Sequence, residues 1–169
     1  MQIKRLIQFS TILSWFNLII SGMFTAVALL VGSFMLGFGN ILVVVVLMGS
    51  ITLHSYAALQ LRKSLLHPGI PLARQTSTGI RFIGYIALFL AFMFGSSSIY
   101  TLQHAKEIMD QMQFPAELKD IDMTGAFKKS GIFMLIFSIS VLLNVILNLR
   151  FYRWYQMMQQ HPEEPGNEA

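Results

Sequence analysis

Histidine and acidic side chains are the groups in this sequence that could bind a metal ion or transfer a proton. His104, Glu107 and Asp110 follow one another at steps of three, which places them roughly on one helical face, as a cation site would require. Lysines are interleaved with these residues and with the three acids that follow, and acid-rich loops are usually only solvated (Glu117, Asp120, Asp122). We therefore predict no metal site.

The remaining candidates for chemistry are equally isolated. A haem inside the membrane would need two axial ligands at similar depth, but His54 lies within an apolar segment and His104 lies at the opposite side. The serine run 96–98 could supply a nucleophile, yet no acid or base in its segment would activate it. The chain contains no cysteine, which excludes disulfides and thiolate sites. We expect no catalytic residue and no cofactor.

The helices that position these side chains are predicted from three long uncharged blocks of sequence. Residues 6–61, 82–105 and 130–149 contain no Asp, Glu, Lys or Arg, and together they make up 100 of the 169 residues. A soluble domain of this size would expose a charge-poor surface and aggregate. A membrane-spanning helix needs about 20 mostly apolar residues, so the first block is long enough for two spans and each shorter block for one.

The predicted fold is an all-α, antiparallel four-helix transmembrane bundle made of two helical hairpins. The spans are expected at about 11–34, 40–61, 80–102 and 130–151, the first being an uncleaved span rather than a signal peptide. Gly37 to Asn40 is the predicted turn between the first two spans. Residues 1–160 form one membrane domain with an outer loop at 103–129, and residues 161–169 form a disordered cytoplasmic tail.

The distribution of charge predicts the orientation. Loop 62–79 contains basic residues and no acid, whereas the 106–129 segment contains five acids and four lysines. Because Lys and Arg are enriched on the cytoplasmic side, both termini should face the cytoplasm, although Lys128 and Lys129 argue mildly against this. We expect a multi-pass protein of the cell membrane, with the bacterial cytoplasmic membrane as its location. The small basic excess suits lipid headgroups and does not indicate nucleic acid.

The polar residues inside the spans are predicted to meet in one layer. Four of them lie about 7–11 Å from the cytoplasmic ends of their spans, at 1.5 Å per residue. Amides exposed to hydrocarbon are costly, so these groups should hydrogen-bond to one another. The interpretation we prefer is that the layer fixes helix register; the alternative is a small hydrophilic cavity. The predicted cluster is Asn17, His54, Tyr85, Asn144 and Asn148.

A second set of basic and aromatic residues is predicted to contact lipid headgroups: Arg62, Lys63, Arg74, Arg81, Arg150, Arg153 and Trp154. The function we expect is that of a non-enzymatic accessory or scaffold protein, which contacts lipids and another membrane protein or a second copy of itself. The first alternative is a small transporter or channel subunit that uses the polar layer. The second is a membrane enzyme acting on a lipid-soluble substrate.

Overall fold

Four long α-helices account for nearly all of the described chain. The computed structural model describes residues 2–35, 38–67, 69–111 and 122–160. Within these ranges the helices are α1 (Gln2–Met35), α2 (Phe38–Leu66), α3 (Arg74–Gln111) and α4 (Met123–Gln160). The predicted tail 161–169 and the central part of the predicted outer loop lie outside the described residues, as do Glu117 and Asp120.

Each helix contains a segment that is long and apolar enough to cross a membrane. These segments are Lys4–Leu30, Leu42–Leu66, Arg74–Gln111 and Met123–Gln160. The predictions of an all-helical fold and of four candidate spans are therefore confirmed for the described part of the chain. Four such helices indicate a multi-pass membrane protein.

The helices extend well beyond the uncharged blocks. α3 and α4 contain 38 residues each, or about 57 Å at 1.5 Å per residue, which exceeds the roughly 30 Å hydrocarbon core. α2 continues past Leu61 to Leu66, and Phe38 to Asn40, which were predicted to form a turn, belong to its first turn. Residues 36–37, between α1 and α2, lie outside the described chain. A charge near a span end therefore does not end its helix, because the side chain can reach headgroups or water.

α3 changes direction at His104. The backbone of this residue is non-helical (φ −114°, ψ 19°), although helical structure continues to Gln111. The His104 ring stacks on Tyr100 with a centroid separation of 4.4 Å, and its Nδ1 lies 3.1 Å from the Tyr100 carbonyl oxygen. Among the described residues, no three His, Asp or Glu side chains are grouped closely enough to hold a metal ion.

α4 presents two different faces to the rest of the bundle. Phe137, Val141 and Val145 form one face, which packs against Ile51 of α2 and against α3 in an apolar cluster (Ala87, Leu90, Ala91). The neighbouring face carries polar residues at the same spacing of four, namely Ser140, Asn144 and Asn148, and all three are buried. The interior is therefore mainly apolar where α4 meets α3 and Ile51 of α2, and it is polar along the neighbouring face of α4.

α2 and α3 approach each other closely at Gly84. A Cβ atom at this position would lie 3.1 Å from Cε1 and 3.3 Å from Nδ1 of His54, which is itself fully buried. Glycine allows this approach because helix association in lipid depends on small residues at the contact rather than on hydrophobicity. The contact places the His54 ring between α2 and α3, beside the polar face of α4.

Candidate functional site: a buried arginine cluster

The continuation of α2 beyond Leu61 places Arg62 inside the bundle. Arg62 lies within the Leu42–Leu66 candidate span, one turn before the helix ends, and is only 3% exposed. The prediction that it contacts lipid headgroups is therefore wrong. Its neighbour Lys63 is exposed, because successive residues on a helix point about 100° apart.

The guanidinium of Arg62 reaches both α1 and α4. Its Nη2 lies 2.7 Å from Ser10 Oγ and 2.7 Å from Ser14 Oγ on α1. On α4 the same nitrogen lies 2.9 Å from Asn148 Oδ1 and 3.4 Å from Asn144 Oδ1. A single nitrogen from α2 thus connects three helices through neutral acceptors.

The acceptors are also bonded to one another. Ser14 Oγ donates to Asn144 Oδ1 at 2.6 Å, and Asn148 Nδ2 donates to the same oxygen at 3.1 Å. We refer to Ser10, Ser14, Arg62, Asn144 and Asn148 as the Arg62 cluster. Every member is buried, so the cluster is a hydrogen-bonded network in a medium of low dielectric, where partner loss is costly.

The polar layer continues along α1 toward the apolar cluster. Asn17 Nδ2 donates to the Ser140 carbonyl oxygen at 3.3 Å, and Ser140 Oγ donates to Asn17 Oδ1 at 2.9 Å. One turn further, the hydroxyls of Ser21 and Thr52 are hydrogen-bonded at 2.9 Å. These contacts join α1 to α4 and then to α2.

The structure joins three of the five predicted cluster residues directly: Asn148 Nδ2 donates to Asn144 Oδ1, and it lies 3.4 Å from His54 Nε2. Asn17 is buried but bonds to Ser140, one helical turn from Asn144. Tyr85 is 63% exposed and lies outside this group, so its predicted place in the cluster is wrong. Tyr85 lies at a similar distance along its span, but its side chain is on the outward face of α3, whereas the neighbouring Gly84 faces the interior.

The other predicted headgroup residues lie at the surface. Lys63, Arg74, Arg81, Arg150 and Arg153 are exposed, and Trp154 is partly buried. Sequence reasoning missed Ser10 and the inward position of Arg62. A signal was present: Arg62 follows His54 and Ala58 at steps of four, which places all three on one face of α2.

The charge of Arg62 is not balanced by an acid in the described helices. α1, α2 and α4 contain no Asp or Glu, and α3 contains only Glu107 and Asp110, near its C-terminus. That end of α3 lies beside Gly131 of α4, about 26 Å along the helix from Asn148 at 1.5 Å per residue. Neutral oxygens are therefore the partners of this guanidinium.

Part of the buried hydrogen-bonding capacity is unused. Among the described residues, Nε and Nη1 of Arg62 and Nδ1 of His54 are buried without a hydrogen-bond partner. Unpaired buried polar groups are unfavourable, especially when they are charged. Nε and Nη1 of Arg62 therefore remain as hydrogen-bond donors, and an anion or a water molecule would supply acceptors for them.

An apolar cluster lies next to the arginine at the helix ends. It contains Ile7, Leu61, Leu65, Phe151 and Tyr155, together with further buried residues of α2, α3 and α4. Tyr155 also fixes the chain between α2 and α3, because its hydroxyl accepts a hydrogen bond from the Leu72 amide at 2.9 Å. The Arg62 cluster is thus closed to the outside in this conformation.

We expect the reciprocal contact between Asn17 and Ser140 to contribute a coupling energy of about 0.6–1.7 kcal/mol, the range of interhelical hydrogen bonds in membranes. A double-mutant cycle of Asn17→Leu and Ser140→Ala, measured by reversible unfolding in micelles, would test this. Ser97→Ala, at an exposed position of α3, serves as the matched control and should show no coupling to Asn17→Leu. Additive effects of the first pair would contradict the proposed contact.

Comparison with known proteins adds no relative from which a function could be transferred. The chain matches no protein-family model, and no curated protein and no solved structure shows significant similarity to it.

Proposed function

We propose that this chain is a multi-pass accessory or scaffold protein of the cell membrane, which acts without catalysis through contacts with other membrane proteins or lipids. The observation that supports this is the distribution of side chains. Large apolar residues cover the outward helix faces, whereas Asn17, His54, Asn144, Asn148 and most of the described serines lie inside. In the membrane, such an outer surface can contact lipid tails or apolar faces of partner helices.

The proposed arrangement is an antiparallel bundle of two hairpins, α1 with α2 and α3 with α4. The most extensive helix contacts are those within these two pairs. Residue numbers run in opposite directions across the first pair, where Ser10 meets Arg62 and Ser21 meets Thr52. The same opposition joins α3 to α4, since Ser138 bonds to the Ala91 carbonyl and Gly131 lies beside Leu102.

We propose that the end bearing Arg62 faces the cytoplasm, which places both termini there. Lys4, Lys63 and Arg74 lie at this end, and its described residues include no acid. The opposite end mixes acids with lysines. This asymmetry agrees with the enrichment of Lys and Arg in cytoplasmic loops. The location that we propose is the bacterial cytoplasmic membrane.

Cysteine labelling would test the orientation directly, because the sequence contains no cysteine. Lys63→Cys and Lys128→Cys each add one thiol at an exposed position. A membrane-impermeant maleimide added to intact cells should label Lys128→Cys, and should label Lys63→Cys only after the membrane is opened. The reverse pattern would overturn the proposed orientation.

Photo-crosslinking would test the proposed scaffold role. A photoreactive side chain placed in living cells at Ile12, Phe89 or Ile136, all exposed and apolar, should give a discrete protein adduct from at least one of the three faces. The adduct would contain either another protein or a second copy of this chain. Val145, which is fully buried, is the matched control and should give none. The proposal fails if no position yields a protein adduct and the chain purifies in mild detergent as a monomer without partner or retained lipid.

The second candidate function is that of a small transporter or channel subunit, which is favoured by the buried cation in the polar layer. Ionisable groups inside membrane spans commonly mark a substrate or ion pathway. Against this candidate, Arg62 and Asn144 are almost fully shielded from solvent in this conformation. In an Asn144→Cys variant, resistance to a small water-soluble thiol reagent in the folded protein would support the scaffold role. Rapid modification would indicate a water-filled pathway instead.

A further inference from the structure

A groove on the outside of the bundle brings together two arginines from different helices. It lies between α3 and α4 and has a volume of about 360 Å³. Arg81 comes from α3 and Arg153 from α4, and both are exposed, so the two cations converge only in the folded chain. The groove is lined by Arg81, Tyr85, Leu149, Tyr152, Arg153 and Gln156.

One of these arginines is positioned by a fixed aromatic ring. The guanidinium carbon of Arg81 lies 5.2 Å from the centre of the Tyr152 ring, a cation–π contact. The Tyr152 hydroxyl is hydrogen-bonded to Ser77 and accepts a hydrogen bond from Gln156 Nε2 at 3.1 Å. Because the ring is buried and two hydrogen bonds hold its hydroxyl, Arg81 has less freedom to lose when it binds a ligand.

The groove carries positive charge without an acid to balance it in the described helices. α4 contains no Asp or Glu, and on α3 the first acid after Arg81 is Glu107, about 39 Å further along the helix. A guanidinium fork matches the oxygens of a phosphate group, which it can contact through two parallel hydrogen bonds. The lining therefore favours a phosphate-bearing anion.

An apolar strip continues from the groove along α3. Phe82, Tyr85, Phe89 and Phe92 are all exposed and follow one another at steps of three and four. Phe82 and Tyr85 also line a second cavity of about 280 Å³ that shares Arg81 with the groove. The ligand that fits this surface has an anionic head and an apolar tail.

We propose that the groove is a specific site for one glycerophospholipid with a net negative headgroup. Its phosphate lies between Arg81 and Arg153, and an acyl chain follows the strip from Phe82 to Phe92. A zwitterionic lipid fits less well, because its terminal cation would approach two arginines. This inference rests on the membrane placement in the proposed function, and it makes lipid one of the partners.

Native mass spectrometry of the full chain would test the site. The protein is released from bilayers that contain equal amounts of phosphatidylcholine and phosphatidylglycerol, and the retained lipids are counted. We expect one phosphatidylglycerol per chain in preference to phosphatidylcholine. The Arg81→Gln/Arg153→Gln variant should bind it roughly 30-fold more weakly, since each basic residue near the surface contributes about a fivefold effect and the two effects multiply.

The matched control is Lys128→Gln/Lys129→Gln, which removes the same charge from two exposed residues near the opposite end of α4, outside the groove, and should retain the lipid. The single variant Arg153→Gln leaves the Arg81–Tyr152 contact intact and should weaken retention without affecting folding. Equal losses in both double variants, or no loss in either, would overturn the site. Displacement of the lipid by millimolar inorganic phosphate would identify a free-phosphate site and also overturn it.

The lipid result is separable from the scaffold role. Retention is measured on the isolated chain, whereas crosslinking in cells reports protein partners. A chain that retains the lipid but gives no protein adduct would support the groove and count against protein scaffolding. A protein adduct with no retained lipid would support protein scaffolding and count against the groove.

Discussion

Replacing Arg62 with alanine is expected to lower the free energy of unfolding by about 2–3 kcal/mol. Three close contacts to Ser10, Ser14 and Asn148 would be lost, and hydrogen bonds to charged groups are worth more than neutral ones. Removing a buried cation without an acidic partner offsets part of this loss, which keeps the estimate below the 3–5 kcal/mol typical of a broken buried ion pair.

Reversible unfolding in micelles, with helix content as the signal, would measure this change. The matched control is Lys63→Ala, one residue further along the same helix and exposed, which should change the stability by less than about 0.5 kcal/mol. Arg62→Lys should fall between the two, because the lysine ammonium lies one bond closer to the backbone than Nη2 and reaches only some of its acceptors. Equal stabilities of the Arg62→Ala and Lys63→Ala variants would show that the cluster does not hold the helices together.

Replacing Gly84 with leucine is expected to separate α2 from α3 and to destabilise the bundle by about 3 kcal/mol, at the upper end of the range for overpacked interiors. Even a single Cβ would lie 3.1 Å from the His54 ring. That ring cannot move away freely, because it is buried on every side. Gly84→Ala should therefore cost about 1 kcal/mol, and thermal unfolding of both variants in one detergent would rank them.

Two other glycines provide controls for this prediction. A Cβ at Gly79, on the same helix, would meet only the Ile83 side chain at an ordinary 3.7 Å, and one at Gly49 would have nothing within 4 Å. Alanine at either position should be neutral or slightly stabilising, because glycine is the weaker helix former. If Gly84→Ala behaves like these controls, the close approach of α2 and α3 does not limit stability.

Much of this fold could be predicted from the absence of charge. Uncharged blocks locate the centres of spans because burying charge in lipid is unfavourable. They do not locate the ends of helices, since a helix continues wherever its backbone bonds are satisfied. For this reason the end of α2 was predicted at Leu61, and Arg62 was assigned to the surface although its helix continues to Leu66.

The polar cluster could be predicted in part for a related reason. Depth along the span grouped His54 with Asn144 and Asn148, which lie in contact in the structure, whereas Asn17 bonds to Ser140 one helical turn away. Tyr85 has a similar depth but points outward, because Gly84 beside it occupies the inward face. Two residues meet inside a bundle only when both depth and rotation agree, and rotation depends on neighbouring helices that a single sequence does not reveal.

The two adjacent faces of α4 have a consequence for how this helix can move. Val141 and Val145 directly follow Ser140 and Asn144 in the chain, so the two faces of α4 lie about 100° apart around its axis. A turn of this size in one direction would place valines against the Arg62 guanidinium, and a turn in the other direction would press the amides against Ala87, Leu90 and Ala91 of α3. Both the polar and the apolar contacts of α4 therefore oppose its rotation. A single residue inserted upstream of Ser140 would shift the residues on one side of the insertion by about 100° relative to those on the other, and would disrupt both interfaces.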